Sequence, residues 1–269
     1  MTSADIARPT NTRLSLHAHI DYKLACPTDL LLQIEAAVLP EQRIDKAWID
    51  ISPVAHFARV SGHDGIGDRI WLRADQRLTV DYTATIEIQR IVRDVAGLAA
   101  VPMHQLPGET VEYLFGSRYC PVETFAALVD DEFPGTQGGD RIAAIRDWIG
   151  QHIAYRAGSS DSQTDALVTY VSREGVCRDF AHVMIALARA SNIPARFASV
   201  FAPRVTPPDF HAVAEVFLAG EWHLVDATGM AHEGEMAKIG VGRDAADVSF
   251  LTVFGSAEML RQQVEVVQI

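Results

Sequence analysis

A chain of 269 residues, 48% hydrophobic and 22% charged, can bury a large core as one big domain or two modest ones. Its formal net charge of -12 excludes sequence-independent binding to nucleic acid or anionic lipid, because phosphate contacts need a basic surface. No apolar run is long enough to span a bilayer, and the opening MTSADIARPTNTR lacks the basic-then-apolar order of a secretory leader, so the cytoplasm is the expected compartment.

The first hundred residues read as strands. Leu32, Ile34, Ala36 and Val38 alternate with Gln33, Glu35 and Ala37. Val80, Tyr82, Ala84, Ile86 and Ile88 alternate with Asp81, Thr83, Thr85, Glu87 and Gln89, the pattern of a half-buried strand. Turn-rich pieces such as Ser61-Gly62-His63-Asp64-Gly65 separate such runs. This predicts an all-β, sandwich-like domain over residues 1–97. From residue 98 to 269 the pattern becomes α+β, with helices first and an antiparallel sheet after. Helices are expected over Pro121–Asp130 and over Arg141–His152, where Ile142, Ile145 and Ile149 recur at helical spacing. The strongest runs from Cys177 to Ser191, with Phe180, Val183, Met184, Leu187 and Ala188 on one stripe and Pro194 just past its end. Strands are expected at Arg196–Phe201, His211–Leu218 and Glu221–Asp226, and one more over Val264–Ile269.

Three cysteines, Cys26, Cys120 and Cys177, are too few and too scattered for a disulfide framework or a CxxC metal site. Cys26 and Cys120 are expected to be buried structural thiols. Cys177 differs because it stands in the first turn of the strongest helix, where unpaired N–H groups and the positive dipole end favour thiolate. Gly175 allows a sharp turn into that helix, and Arg178 adds positive charge. The stripe from Phe180 to Met184 turns the sulfur inward, toward the expected sheet. His182, five residues on, is rotated off that face and reads as a satisfied helix histidine.

Better partners stand on the hairpin. His211, Val213, Glu215 and Phe217 share one strand face; Trp222, Leu224 and Asp226 share a face of the next. A two-residue turn at Ala219-Gly220 leaves His211 diagonal to Asp226, and a four-residue turn sets them directly opposite. A three-residue loop would put them on opposite faces. An Asp beside a His fixes its tautomer and stabilises imidazolium, so that the free ring nitrogen can meet a thiol. The same Cys177, His211 and Asp226 could instead ligate a metal, as one soft, one borderline and one hard donor. Asp179 reads as a helix-start charge, Glu215 equally as a pocket wall or half of an ion pair, and Trp148 and Trp222 as core.

The blocks Gly175-Val176-Cys177-Arg178-Asp179-Phe180-Ala181-His182, Ile193-Pro194-Ala195-Arg196, Asp209-Phe210-His211-Ala212 with Glu215, and Trp222 with Asp226-Ala227-Thr228 resemble the bacterial transglutaminase-like superfamily. Tyr155 with Asp165-Ala166, Ser117 to Cys120, and Val241 to Asp247 fit the same resemblance, which covers roughly residues 100–269. It implies a papain-like core, helices packed on an antiparallel sheet, behind a β-rich N-terminal region. It further implies Cys177 as nucleophile, His211 as base and Asp226 as orienter, with no cofactor or metal. Two positions depart from the family pattern: Val213 stands where an aromatic is usual, and Ala227 where proline is. The expected reaction is cleavage of a peptide or amide bond through a thioester, with water favoured as acceptor and a peptide or protein as substrate. The alternatives are a transglutaminase that uses an amine acceptor, and a binding module that kept the fold without catalysis.

Overall fold

The computed structural model describes residues 8–269. The leader reading of the opening residues therefore falls largely outside the described part. Besides a two-residue pair of Arg8–Pro9 with Ile91–Val92, six longer strands come first: β1 (Thr12–Leu24), β2 (Thr28–Leu32), β3 (Gln42–Ile51), β4 (His56–Ser61), β5 (Asp68–Ala74) and β6 (Arg77–Ile88). After two single helical turns at Val122–Phe125 and Val129–Glu132 come α1 (Gly138–His152), α2 (Ala166–Ser172) and α3 (Cys177–Ala190). Then follow β7 (Ala195–Phe201), β8 (His211–Leu218), β9 (Glu221–Val225), β10 (Ala237–Gly242), β11 (Leu251–Phe254) and β12 (Ala257–Gln268).

Three antiparallel four-stranded sheets result, in the orders β12-β1-β6-β3, β11-β2-β5-β4 and β9-β8-β7-β10. The first two face each other as a sandwich. Their inward residues alternate as the period of two requires: Leu78, Val80, Tyr82, Ala84, Ile86 and Ile88 of β6 are all buried, against Leu30, Leu32, Ile70 and Leu72 of the facing sheet. The third sheet carries α3 on one face. Val183, Met184 and Leu187 of the helix pack with Phe197, Ala212, Ala214 and Val216 of β7 and β8. The α+β architecture expected of the second half is thus present, and Ile142, Ile145 and Ile149 of α1 are fully buried at their helical spacing.

Two differences from the sequence reading have clear causes. The alternation at residues 32–38 keeps Ile34 and Ala36 buried, yet the strand stops at Leu32. Beyond it the backbone ties the halves of the chain together instead, Gln33 N–H donating to Phe250 O and Ala37 N–H to Lys238 O, while Ala36 N–H donates to the Tyr82 hydroxyl within the first half. The C-terminal strand is longer than expected and does not join the third sheet. The change of pattern at residue 98 does not mark a structural divide, because β11 pairs with β2 and β12 with β1, so the last strands are built into the sheets of the first half. Both sides of that junction are packed, because Phe201, Phe210, Ala237 and Ile239 share the sandwich core.

Behind the third sheet lies a buried charge cluster. Glu215 accepts from Arg196 Nε at 2.8 Å and Lys238 Nζ at 2.7 Å, and Arg196 also reaches Asp64 at 2.8 Å. The ion-pair reading of Glu215 is the one observed. Burial alone would raise its carboxyl, but Lys238 and Arg196 outweigh this and hold it at about 2. Removing the carboxylate takes the shared, fully buried partner from two cations and leaves Arg196 with Asp64 and Lys238 with Glu41. Glu215→Ala is therefore expected to cost about 3–5 kcal/mol in denaturant unfolding. Arg73→Ala, which breaks an exposed pair with Asp29, is the control expected to change little. Equal effects from the two would show that the cluster is not a structural tie.

Candidate active site

Helix α3 starts on a built N-terminus. Asp179 Oδ2 accepts from Val176 N–H at 2.8 Å, so the reading of Asp179 as a helix-start group holds. Gly175 is required for space rather than for a turn. Its φ is not in the left-handed region, and a Cβ there would meet Asp179 Cβ at 2.8 Å. Cys177, the first helical residue, is half-buried, while Asp179 and Phe180 beside it are buried. Asp179 and Phe180 N–H donate to Val176 O at 2.9 and 3.1 Å, while the amides of Cys177 and Arg178 begin the helix without an intrahelical partner. Arg178 lines the same cleft, its guanidinium donating to Ser160 Oγ, Asp161 O and Asp179 Oδ1.

The hairpin adopts the two-residue turn. Leu218 pairs with Glu221 and Ala214 with Val225, and Ala219 (φ 52°) and Gly220 (φ 86°) both take the positive φ of a twisted two-residue hairpin. The register leaves His211 diagonal to Asp226, and their side chains close the gap at 3.0 Å, Nε2 to Oδ2. A carboxylate can only accept, so Nε2 carries the hydrogen. Asp226 is saturated: Oδ1 accepts from Thr228 N–H (2.8 Å) and Oγ1 (2.7 Å), and Oδ2 also from Ala231 N–H (2.8 Å). Burial would raise this carboxyl, but the His211 bond and charge, with Thr228, hold it below its ordinary value.

With Nε2 committed to Asp226, the nitrogen left for the thiol is Nδ1, which is buried and has no hydrogen-bond partner among the described residues. Burial works against the imidazolium, yet the Asp226 bond, the nearby Cys177 thiol and the charge of Asp226 raise His211 to about 9. Tyr155, opposite Gly175 in a two-residue parallel pair, stands beside Cys177. Burial first, then the thiol, push its hydroxyl up to about 12, so it remains a donor at neutral pH.

The remaining cysteines divide. Cys120 is fully buried and its thiol is pushed up to about 12 by that burial, as a structural thiol should be. Cys26 is exposed, contrary to expectation, because it lies in the bend between β1 and β2. His182 is buried on α3 and accepts from Ala245 N–H at 3.2 Å, a packing role. The sequence offers Thr228 only as part of the Asp226-Ala227-Thr228 block, without a role, although Asp-x-Thr is a legible turn signal, and gives no sign of the Ala231 amide that also clamps Asp226. Gln262 of β12 also lines the cleft; its distance along the chain offered no signal at all.

Comparison with known proteins agrees with this fold. The profile of the transglutaminase-like superfamily matches residues 128–227. The crystal structure of a "putative cysteine protease" from Cytophaga hutchinsonii is 34% identical, with a TM-score of 0.93 over 98% of this chain and 93% of that one. An uncharacterised protein of Mycobacterium leprae is 23% identical over 64% of this chain and 66% of its own length. One of Mycobacterium tuberculosis is 33% identical over 35% of each. The chain thus spans under two thirds of these mycobacterial relatives. No described helix is long and apolar enough to cross a membrane.

Proposed function

This chain belongs to the transglutaminase-like superfamily, and we propose that it is a cysteine-nucleophile enzyme that cleaves peptide or amide bonds through a thioester. The reading rests on one observation: His211 is held by Asp226 through Nε2 at 3.0 Å, with its buried, unpartnered Nδ1 left to the Cys177 thiol. In this mechanism the proton of Cys177 passes to His211 Nδ1, and the thiolate attacks the carbonyl carbon. The first-turn amides of α3 receive the oxyanion, with the Tyr155 hydroxyl nearby as a further donor. His211 returns its proton to the departing amine, and water, deprotonated by the same nitrogen, releases the acyl group. Asp226 stays ionised throughout and keeps the ring in the tautomer that exposes Nδ1.

Hydrolysis is preferred over transfer to an amine because water needs no second binding site. The substrate is a peptide or protein, as in the cysteine-protease description of the Cytophaga relative. The cytoplasm remains the proposed compartment, in keeping with three free thiols, one of them exposed.

Alkylation by iodoacetamide tests the pairing without a known substrate. Cys177 is expected to label rapidly below pH 7, ahead of the exposed Cys26, because an imidazolium with a raised pKa sustains the thiolate there. His211→Ala is expected to slow that labelling by at least about tenfold at pH 6. Labelling no faster than Cys26, or unaffected by the substitution, would remove the pair and favour a binding module.

A further inference from the structure

The cleft that holds Cys177 and His211 has a volume of about 240 Å³, and one wall comes from the chain's last strands, through Leu251 and Gln262. Asp209 and Gln262 both line it. Asp209, two residues before His211, accepts at Oδ1 from Phe210 N–H at 2.7 Å and from Gln262 Nε2 at 2.5 Å. Both donors are neutral, so this half-buried carboxylate has no counter-charge in its hydrogen bonds. Burial pushes its pKa upward. The bond that orients Gln262 leaves its Oε1 buried and without a partner. The buried Glu215, by contrast, is bracketed by Arg196 and Lys238.

An uncompensated carboxylate and an orphan amide oxygen each cost stability unless something completes them. The two residues sit side by side on the wall of a cleft that also contains the thiol, with the Gln262 oxygen just beneath its surface. The complement to two adjacent acceptors, one of them charged, is a cation with several N–H donors. An ammonium group has three such donors and one positive charge. We propose that Asp209 and Gln262 form a subsite for a primary ammonium group of the substrate, carried close to the scissile carbonyl. The substrate class is then peptides whose acyl residue bears an amine, either a lysine side chain or a free α-amino group. This deepens the reading above and rests on Cys177 as the attacking atom. It also gives the first-half sandwich a task, because β12 brings Gln262 to the site.

Charged thiol reagents test the subsite at Cys177 itself. Labelling rates are compared for aminoethyl, sulfonatoethyl and methyl methanethiosulfonate, each divided by its rate with a small free thiol. The aminoethyl-to-methyl ratio is expected to exceed one by on the order of 30-fold, and to fall at least about tenfold in Asp209→Asn. Asparagine keeps an oxygen for the Phe210 amide, so the local turn has a route to persist. Gln262→Leu, which removes no charge, gives a second handle and is expected to lower the ratio several-fold. Ratios within twofold of the parent in both variants overturn the proposal. Coumarylamides of acetyl-lysine, acetyl-norleucine and free-amino norleucine then assign the source of the ammonium. Preference for the first points to a side chain, preference for the last to the α-amino group, and no preference over acetyl-norleucine counts against the subsite. A Cys177 that is indifferent to His211→Ala but keeps the charge preference would sink the catalytic reading and leave the subsite standing.

Discussion

Cys177→Ala is expected to lower kcat for cleavage of peptidyl coumarylamides by on the order of 10⁵–10⁶-fold, with little change in melting temperature. The size follows from the role: without sulfur no thioester forms, and what survives is the contribution of the amides at the start of α3 and of binding in the cleft. Little stability is at stake because Cys177 is the first helical residue and half-buried, and alanine suits a helix. Initial rates with matched protein and a scan of thermal unfolding read both quantities together. Activity retained within about tenfold would mean that the reaction does not run through this thiol.

The second large effect is expected from Asp226→Asn, a loss of about 10³–10⁴-fold in kcat. Four donors converge on this carboxylate, two on each oxygen: Thr228 N–H and Oγ1 on Oδ1, His211 Nε2 and Ala231 N–H on Oδ2. An amide can accept on only one side. Its NH₂ must then face either the Thr228 pair or the pair containing His211, and the second choice drives the ring to the tautomer that spends Nδ1. The rate of iodoacetamide labelling at pH 6 is expected to fall in parallel, since the imidazolium loses the charge that helps hold it near 9. Full labelling reactivity in this variant would show that Asp226 only anchors the loop after β9.

Much of this was legible in the residues, for reasons that are local. The stripe on α3 repeats at the helical period and points into a core, so its bounds came out within a residue. The Ala219-Gly220 turn has few geometries, and the two-residue register brings His211 to Asp226 diagonally, as that register requires. What escaped was non-local or steric. Nothing in the run from Ala257 to Gln268 says that its partner is β1 rather than a strand of the third sheet, because a strand's own pattern fixes its face and leaves its neighbour open. Gly175 looked like a turn residue, whereas the need is room for the Asp179 side chain, which only packing reveals. Cys26 looked like a small buried residue because composition cannot tell a bend between strands from the strands themselves.

The return of β12 to β1 also orders events during synthesis. Helix α3 and the His211–Asp226 hairpin are translated first, and Gln262 reaches the ribosome only afterwards. Until then a nascent chain carries its thiol and imidazole beside an unfinished cleft, with one edge of β1 unpaired. By this topology, the power to select a substrate arrives later than the groups that would attack it.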